Sequence, residues 1–262
     1  MMTKLLAATA ALALFAGAAA AQEGHQHHAG MTMPASPSPN VTAALADAKR
    51  PAEDRAKDAA RKPAELLALA DVKVGDKVGD WVMGGGYVTR VLASAVGPNG
   101  KVYAYQPNEF VAYNAQYGAD QDAVAKAYPN IVAIRQPFGG LSFPEPLDAI
   151  ITVQNYHDLY LKPFPADTAP KARAELFRAL KPGGVLVLVD HSAADGSGTR
   201  DADGLHRIDK QTVIKELTEA GFKLEGEHQL YVNRQDPRTA SAFDPAIRGK
   251  TDQFTLVFRK PA

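Results

Sequence analysis

The most restrictive feature of this sequence is an alternation, from Lys77 onward, of short apolar runs with longer stretches of helical periodicity. The runs are apolar almost throughout, which is typical of strands covered on both faces of a parallel sheet. Strands are predicted at residues 77–82, 101–105, 131–135, 148–153, 185–190, 222–231 and 253–259. Helices are predicted at residues 87–96, 109–117, 122–127, 169–180 and 210–220. The pattern predicts an α/β fold: a doubly wound, seven-stranded, mostly parallel sheet that ends in a hairpin-like pair.

The first strand and the helix after it are joined by the sequence Asp80-Trp81-Val82-Met83-Gly84-Gly85-Gly86-Tyr87. A strand that runs into three glycines and then a helix makes a tight turn, where backbone approaches a ligand closely and the helix end offers free N–H groups. In a doubly wound sheet, ligands bind beyond the carboxyl ends of the strands. The junction therefore predicts a nucleotide-like or nucleoside-like ligand; the alternative is a strand–helix connection that binds nothing. Trp81 is predicted to lie in the core.

The N-terminus has the pattern of a bacterial secretory signal peptide. Lys4 precedes an apolar, alanine-rich stretch over residues 5–18, and Ala19-Ala20-Ala21 fits the small-residue cleavage site. We therefore expect a cleaved signal peptide at residues 1–21 and a periplasmic or secreted chain that starts at Gln22. An uncleaved membrane anchor is the alternative, although the apolar stretch is short for a span. No other segment is predicted to cross a bilayer, so no membrane contact is expected after cleavage.

Residues 22–40 are predicted to form a disordered spacer, rich in His, Met and Pro and poor in large apolar side chains. Imidazole and thioether groups together suit copper, especially Cu(I), so copper is a candidate ligand of this spacer. The alternative is a linker whose histidines bind nothing. The candidate ligands are His25, His27, His28, Met31 and Met33.

Residues 41–70 are predicted to form charged N-terminal helices ahead of a domain that spans residues 71–262. Pro51 and Pro63 suit first helical positions, and three leucines at 66, 67 and 69 supply an apolar face. These helices are expected to act as a lid or as a packing element.

The composition excludes several function classes. The chain of 262 residues has a formal net charge of zero, so neither a nucleic-acid partner nor an anionic membrane is expected. It contains no cysteine, which excludes disulfides, thiol nucleophiles and thiolate metal sites.

Several short motifs occur in an order that resembles class I S-adenosylmethionine-dependent methyltransferases over about residues 63–260, and most closely an exported branch of that family. The motifs that carry the resemblance are Gly84-Gly85-Gly86-Tyr87 with Thr89, Asn155-Tyr156-His157-Asp158, Asp190-His191-Ser192-Ala193, His206-Arg207-Ile208-Asp209 and Lys250-Thr251-Asp252-Gln253-Phe254. The resemblance implies a Rossmann-like methyltransferase fold, S-adenosyl-L-methionine as the cofactor and a small-molecule methyl acceptor.

By this resemblance, Asp80 and the three glycines line the methionine and ribose side of the cofactor, together with Thr89, Gln154 and Asn155. The family places acidic residues after the second and third strands, for the ribose hydroxyls and the adenine amine. Gln106 and Gln136 take those places here, and glutamine offers an acceptor without a charge. Val82 stands where the common pattern has glycine, and it is expected to keep an extended backbone with a negative φ.

Polar residues also follow the fourth and fifth strands and open a later helix. One interpretation is catalysis, in which His157 or His191 removes the acceptor proton and Tyr156 shapes the acceptor pocket. His206 and Arg207 would then contact the substrate. The carboxylates available to orient the histidine are Asp158, Asp190 and Asp209.

Two other interpretations fit the same residues. The three imidazoles and a carboxylate are a ligand set for zinc or another divalent ion, although the domain is not expected to hold a metal. In the other interpretation these residues have purely structural roles: the histidines bond loop backbone, Asp209 or Asp203 caps a helix, and Arg207 pairs with Asp209, Asp201 or Asp203.

The sequence therefore supports three functions. The first is an exported S-adenosylmethionine-dependent methyltransferase that acts on a small molecule. The second is a non-catalytic periplasmic ligand-binding protein on the same scaffold, and the third is a histidine-based metal-binding protein.

Overall fold

Seven strands form one sheet in the computed structural model, which describes residues 37–262. The strands are β1 (Lys77–Trp81), β2 (Lys101–Pro107), β3 (Ile131–Gln136), β4 (Leu147–Val153), β5 (Leu180–His191), β6 (Lys223–His228) and β7 (Gln253–Arg259). Their order is β3-β2-β1-β4-β5-β7-β6. The first five strands pair in parallel, and β7 is antiparallel to both β5 and β6. The predicted α/β architecture, with its antiparallel C-terminal pair, is confirmed.

Ten helices connect and cover the strands in the described part of the chain. They are α1 (Pro39–Leu45), α2 (Ala52–Arg55), α3 (Asp58–Arg61), α4 (Pro63–Leu69), α5 (Tyr87–Val96), α6 (Asn108–Tyr113), α7 (Gln116–Ala127), α8 (Thr168–Ala179), α9 (Ala202–Leu205) and α10 (Lys210–Glu219). The bounds predicted for α5 and β7 are confirmed.

In three places the predicted boundaries differ from the structure by three residues or more. The helices predicted at 109–117 and 122–127 divide earlier, at the turn between α6 and α7. The strand predicted at 185–190 begins earlier, because residues 180–184 also belong to β5, where the register against β4 shifts near Leu147 and Gly183 adopts a φ of 79°. The predicted strand at 222–231 ends at His228, because residues 229–252 leave the sheet before returning as β7.

The N-terminal helices pack against α5, at the outer side of the glycine turn. Arg50 is fully buried and pairs with Asp58 at 2.5 Å, and Tyr87 Oη donates to the same carboxylate at 2.6 Å. Arg90 pairs with Asp54 at 2.7 Å. These contacts fix α2 and α3 against the first turn of α5, so the packing role predicted for this segment is confirmed.

The sheet lies between two apolar layers. One contains Trp81, which is fully buried as predicted, with the aromatic side chains under α8. The other layer consists of apolar side chains from α1, α4 and α5 that pack against the opposite face of β1 and β4. Both layers leave the carboxyl ends of β1, β4 and β5 free to carry polar side chains.

The predicted signal peptide at 1–21 and the candidate copper ligands His25, His27, His28, Met31 and Met33 lie outside the described residues. The predicted spacer is described only from residue 37, and α1 begins at Pro39, inside its predicted bounds. Within residues 37–262, no helix combines the length and apolarity that a membrane span needs.

Candidate functional site

The order of the strands reverses between β1 and β4, and the backbone there is unusual. Val82 follows β1 with a φ of 67°, and Gln154 follows β4 with a φ of 65°. The expectation of a negative φ at Val82 is wrong. Met83 N–H donates to Tyr105 O at 2.9 Å and Asn155 Nδ2 donates to Val82 O at 3.2 Å, so bonds from both neighbouring strands hold the chain in this turn. A left-handed conformation at a β-branched residue costs about 1–3 kcal/mol and is typical of functional sites.

The glycine turn has an open part and a packed part. Gly84 has a φ of 53°, and a Cβ built there would meet nothing within 4 Å. At Gly86, with a φ of 80°, a Cβ would lie 2.7 Å from Val124 Cγ2. Gly86 therefore allows α7 to approach the turn, whereas Gly84 leaves backbone accessible to a ligand at the start of α5.

Asp80 and Thr89 face each other beneath this turn. Both side chains are buried, and Thr89 Oγ1 donates to Asp80 Oδ2 at 2.6 Å. Burial raises the pKa of Asp80 to about 6, although hydrogen bonds from Thr89 favour the ionised form. The pair ties the end of β1 to the first turn of α5, so its effect on a ligand at the turn is indirect.

Gln106 and Gln136 end β2 and β3, but they differ in what they can offer a ligand. Gln106 is fully buried, and neither its Oε1 nor its Nε2 has a hydrogen-bond partner among the described residues. Leaving both groups of a buried amide unpaired is costly, so a ligand hydroxyl would be stabilising there. Gln136 Oε1 already accepts from Ser142 N–H at 2.7 Å. Gln106 thus fits the ribose of a nucleoside, whereas the acceptor of Gln136 is engaged.

Gln154 and Asn155 connect the glycine turn with the far side of the sheet. Asn155 Nδ2 also donates to Val153 O at 2.6 Å. Gln154 Nε2 donates to Gln253 Oε1 at 3.0 Å, across the ends of β4 and β7. Asn155 therefore holds the backbone at Val82. Gln154 lies between the glycine turn and the cavity of about 440 Å³ described below.

His157 lies between two carboxylates at the ends of β4 and β5. Its Nδ1 is 2.7 Å from Asp190 Oδ1, and its Nε2 is 3.2 Å from Asp158 Oδ1. Burial alone would lower the pKa of His157, but the two carboxylates outweigh it and raise the pKa to about 10. A ring that holds its proton so tightly is a poor general base at neutral pH.

His191 and His206 complete a histidine cluster around His157, with ring centroids 5.9 Å and 5.4 Å from that of His157. His191 Nδ1 lies 2.8 Å from Thr251 Oγ1, and burial lowers the pKa of His191 to about 4. His206 has a φ of 51°, and its ring packs edge-on against Phe243 at 4.5 Å. The structure therefore brings together the three histidines that the sequence placed on one edge.

Tyr156 and Arg207 take part in packing, and neither lines the two cavities described below. Tyr156 is fully buried and donates to Glu216 at 2.8 Å. Arg207 is also fully buried, and its partner is Asp236 at 2.8 Å, a residue outside the set considered from sequence. Arg207 also donates to Ser192 O and Ala240 O, so it fixes the 229–252 segment to β5.

The capping role considered for Asp209 is confirmed. Its side chain accepts from Gln211 N–H at 3.0 Å, at the start of α10, and from Gly196 N–H at 3.0 Å. Asp203 instead accepts from the Lys162 N–H at 2.9 Å.

A cavity of about 440 Å³ opens at the carboxyl edge, beside the glycine turn. The polar lining includes Gln154, His191 and Gln253, and three cations from other segments: Lys57, Arg61 and Arg248. None of the three cations forms an ion pair with a described residue, and no acidic residue of the described chain lines this cavity. A larger cavity, of about 550 Å³, lies at the opposite edge, near the starts of β2 and β3.

Sequence reasoning missed the cations of this cavity. Lys57 and Arg61 come from α3 and its N-terminal flank, and Arg248 comes from the 229–252 segment. Tyr231 Oη donates to Arg61 O at 2.6 Å, and this bond connects the two segments at the cavity that both residues line. No motif marks these residues, because their meeting depends on how two distant segments pack.

Neither the protein-family models nor the curated proteins gave a match to the sequence. Solved structures share the fold. A SAM-dependent methyltransferase from Aquifex aeolicus is 20% identical, with a TM-score of 0.54 over 79% of this chain and 95% of that one. The N-methyltransferase NodS from Bradyrhizobium japonicum WM9 is 18% identical, with a TM-score of 0.51 over 77% and 96%.

The [4+2]-cyclase SpnF is also similar, at 18% identity and a TM-score of 0.54 over 78% of this chain and 81% of that one. A fold that carries a cyclase as well as methyltransferases does not by itself define the reaction. What these likenesses establish is the architecture: this chain has the Rossmann-like fold of S-adenosylmethionine-dependent methyltransferases.

Proposed function

We propose that this chain is an S-adenosylmethionine-dependent methyltransferase that acts on a small anionic acceptor. The observation that carries the proposal is the turn between β1 and α5, which lies at the reversal of strand order and opens beside a cavity. Ligands of open α/β sheets bind at this place. The bound cofactor would supply an electrophilic methyl group, and the chain's own residues would supply binding, orientation and proton handling.

The residues around the turn fit the nucleoside part of this cofactor. Gly84 leaves its backbone accessible, and Val82 holds a left-handed backbone in the place where the family pattern has glycine. Gln106 has two unpaired amide groups that suit ribose hydroxyls. Because Gln106 is fully buried, we expect cofactor binding to displace the side chains that cover it.

The cavity favours an anionic acceptor. Lys57, Arg61 and Arg248 face it without acidic neighbours in its lining. Arg61 also lies 4.9 Å over the ring of Tyr87, but none of the three cations has a carboxylate partner among the described residues. Such cations attract a carboxylate or a phosphate and lower the free energy of its bound state. A cavity of about 440 Å³ is of a size that suits a small molecule.

Of the two histidines considered as the base, we propose His191. It lines the cavity, and its pKa of about 4 leaves its ring neutral at physiological pH and able to accept a proton. His157 is buried behind it and keeps its proton between two carboxylates.

A second candidate is a non-catalytic binding protein on the same scaffold. It is favoured by the engaged acceptor of Gln136, which removes one expected contact with adenine. Both candidates predict that the protein binds S-adenosylhomocysteine. They differ in whether the protein transfers a methyl group.

Calorimetry with S-adenosylhomocysteine tests the binding step. The wild-type chain should bind it, and Gln106→Leu should weaken the affinity about tenfold, equivalent to about 1.4 kcal/mol. Gln211→Leu, at an exposed position of α10, is the matched control and should bind as the wild type does. No heat and no thermal shift at millimolar ligand would contradict the proposal.

Transfer of a radiolabelled methyl group from S-adenosylmethionine to a panel of small carboxylates, phenols and phosphates then separates the candidates. Transfer that is lost in Arg248→Gln supports an anionic acceptor. Binding without transfer to any acceptor favours the non-catalytic candidate.

We also propose export through cleavage after Ala21, on the basis of the sequence pattern at residues 1–21. Cell fractionation and N-terminal sequencing test it: a periplasmic or secreted chain that starts at Gln22 is expected. An intact Met1 on protein recovered from the cytoplasm would contradict it.

A further inference from the structure

We propose that His157, Asp158 and His206 form a binding site for a divalent transition-metal ion of the zinc class. One ligand atom of each side chain lies within 4.8 Å of those of the other two. Two imidazoles and one carboxylate are a ligand set typical of zinc and of other borderline divalent ions. The site is separate from the glycine turn, and metal binding there does not depend on the cofactor proposed above.

The separations of the ligand atoms need only a small adjustment. A tetrahedral ion about 2.1 Å from each ligand places those ligands about 3.4 Å apart. His157 Nε2 lies 3.2 Å from Asp158 Oδ1, and His206 Nδ1 lies 3.9 Å from the same oxygen. A modest rotation of the His206 ring therefore brings all three atoms within reach of one ion.

His206 presents a nitrogen that the protein leaves unsatisfied. Its Nδ1 is buried and has no hydrogen-bond partner among residues 37–262. The residue follows α9 in a left-handed conformation, which histidine adopts more readily than most side chains. A buried polar atom without a partner is costly, and a metal ion at this position would remove that cost.

His157 already has the orientation of a metal ligand. Its Nδ1 lies 2.7 Å from Asp190 Oδ1 and donates to that carboxylate, while Nε2 faces Asp158. A metal ion would take the place of the proton that Nε2 shares with Asp158, and that proton would leave to solvent. The backbone N–H groups of His157 and His191 also donate to Asp190, at 2.8 Å and 2.7 Å, which fixes that carboxylate. When the ring nitrogen that does not bind the metal donates to a carboxylate, the carboxylate orients the histidine ring and makes the other nitrogen a stronger ligand.

The site adjoins the cavity. Phe243 packs against the His206 ring and lines the cavity together with His191. Three protein ligands leave a coordination position for water or for a bound molecule, as in catalytic zinc sites.

Metal titration of the full-length protein tests the proposal. The parent protein carries His25→Gln, His27→Gln and His28→Gln, so that the N-terminal histidines do not take up the added ion. The metal-free parent is titrated with Zn²⁺ by calorimetry and with Co²⁺ by visible absorption. We expect one ion per chain, and a loss of affinity of at least about tenfold in Asp158→Asn and in His206→Asn. Asparagine is chosen at position 206 because it tolerates a positive φ.

The matched control is His228→Asn, on β6 and outside the cluster, which should bind Zn²⁺ as the parent does. Zn²⁺ should raise the melting temperature of the parent and of this control, and not that of Asp158→Asn. If a cluster variant does not fold, NMR of the Co²⁺-loaded parent decides, with paramagnetic shifts of the His157 and His206 rings expected. Equal Zn²⁺ affinity in the parent and both folded cluster variants, unshifted rings, or no uptake by the parent would overturn the proposal.

Discussion

Replacing Asp80 by asparagine is expected to make the stability of the protein less sensitive to pH. Asp80 is 4% exposed and has no cationic partner among the described residues. Its carboxylate accepts hydrogen bonds from the side chain and backbone of Thr89. Burial outweighs these bonds and raises the pKa from 3.8 to about 6, because the charged form is poorly solvated.

The raised pKa lowers the stability of the wild-type protein as the pH rises. The folded state holds the Asp80 proton more tightly than the unfolded state, so the favourable contribution is complete below 3.8 and is lost as the pH rises through about 6. With 1.36 kcal/mol per pKa unit, the resulting penalty is about 2 kcal/mol near pH 5 and about 3 kcal/mol near pH 8.

Urea unfolding of the wild type and of Asp80→Asn near these two pH values measures the effect. Asparagine keeps an acceptor for Thr89 and carries no charge. The free energy of unfolding of Asp80→Asn, relative to the wild type, should therefore rise by about 1 kcal/mol between the lower and the higher pH.

Thr89→Val provides a second variant at the same contact. It removes the hydroxyl that donates to the carboxylate, so it should destabilise the protein more near pH 8 than near pH 5. If the difference in unfolding free energy between Asp80→Asn and the wild type is the same at both pH values, Asp80 does not titrate near 6 and the reasoning is refuted.

Three further predictions concern the packing around the site. Gly86→Ala should lower the melting temperature well below that of Gly84→Ala, by the equivalent of about 2 kcal/mol, because both glycines have a positive φ but only a Cβ at 86 would clash with Val124; equal melting temperatures would contradict this. Asp236→Asn should lower the free energy of unfolding by about 3 kcal/mol, because it leaves the buried Arg207 unpaired; the Asp236→Asn, Arg207→Met double variant should recover part of the loss in urea titrations. Tyr231→Phe removes the hydrogen bond to Arg61 O and should speed amide hydrogen exchange in α3 and α4; unchanged exchange would show that this bond does not hold the helices over the cavity.

The sheet could be predicted from sequence because its signal is local. Buried parallel strands are apolar almost throughout, and the turns between them carry glycine and proline, so each strand is visible in a short window. The predicted bounds of α5 match the structure to the residue, since Gly86 and Gly97 flank this helix. Those of β7 also match, and its seven residues all pair with β5. The divided N-terminal helices were less visible, because short helices depend on tertiary contacts such as that of Arg50 with Asp58.

The candidate site was predicted in part. His157 follows β4 and His191 ends β5 at the same edge of the sheet, and His206 lies in the connection from β5 to α10, so their proximity could be inferred from topology. The partner of Arg207 could not, because Asp236 lies in the irregular 229–252 segment, whose path the sequence does not indicate. The backbone of Val82 was predicted wrongly from residue type: valine disfavours a positive φ, but hydrogen bonds from both sides of the turn impose it.

The most direct test of the proposed function is a crystal structure of the protein with S-adenosylhomocysteine. We expect the nucleoside over the turn between β1 and α5, with its ribose hydroxyls within hydrogen-bonding distance of the Gln106 amide and its sulfur toward the cavity that Gln154 and His191 line. A ligand bound elsewhere, or a turn that stays empty at saturating ligand with Gln106 still covered, would contradict the assignment of this turn as the cofactor site.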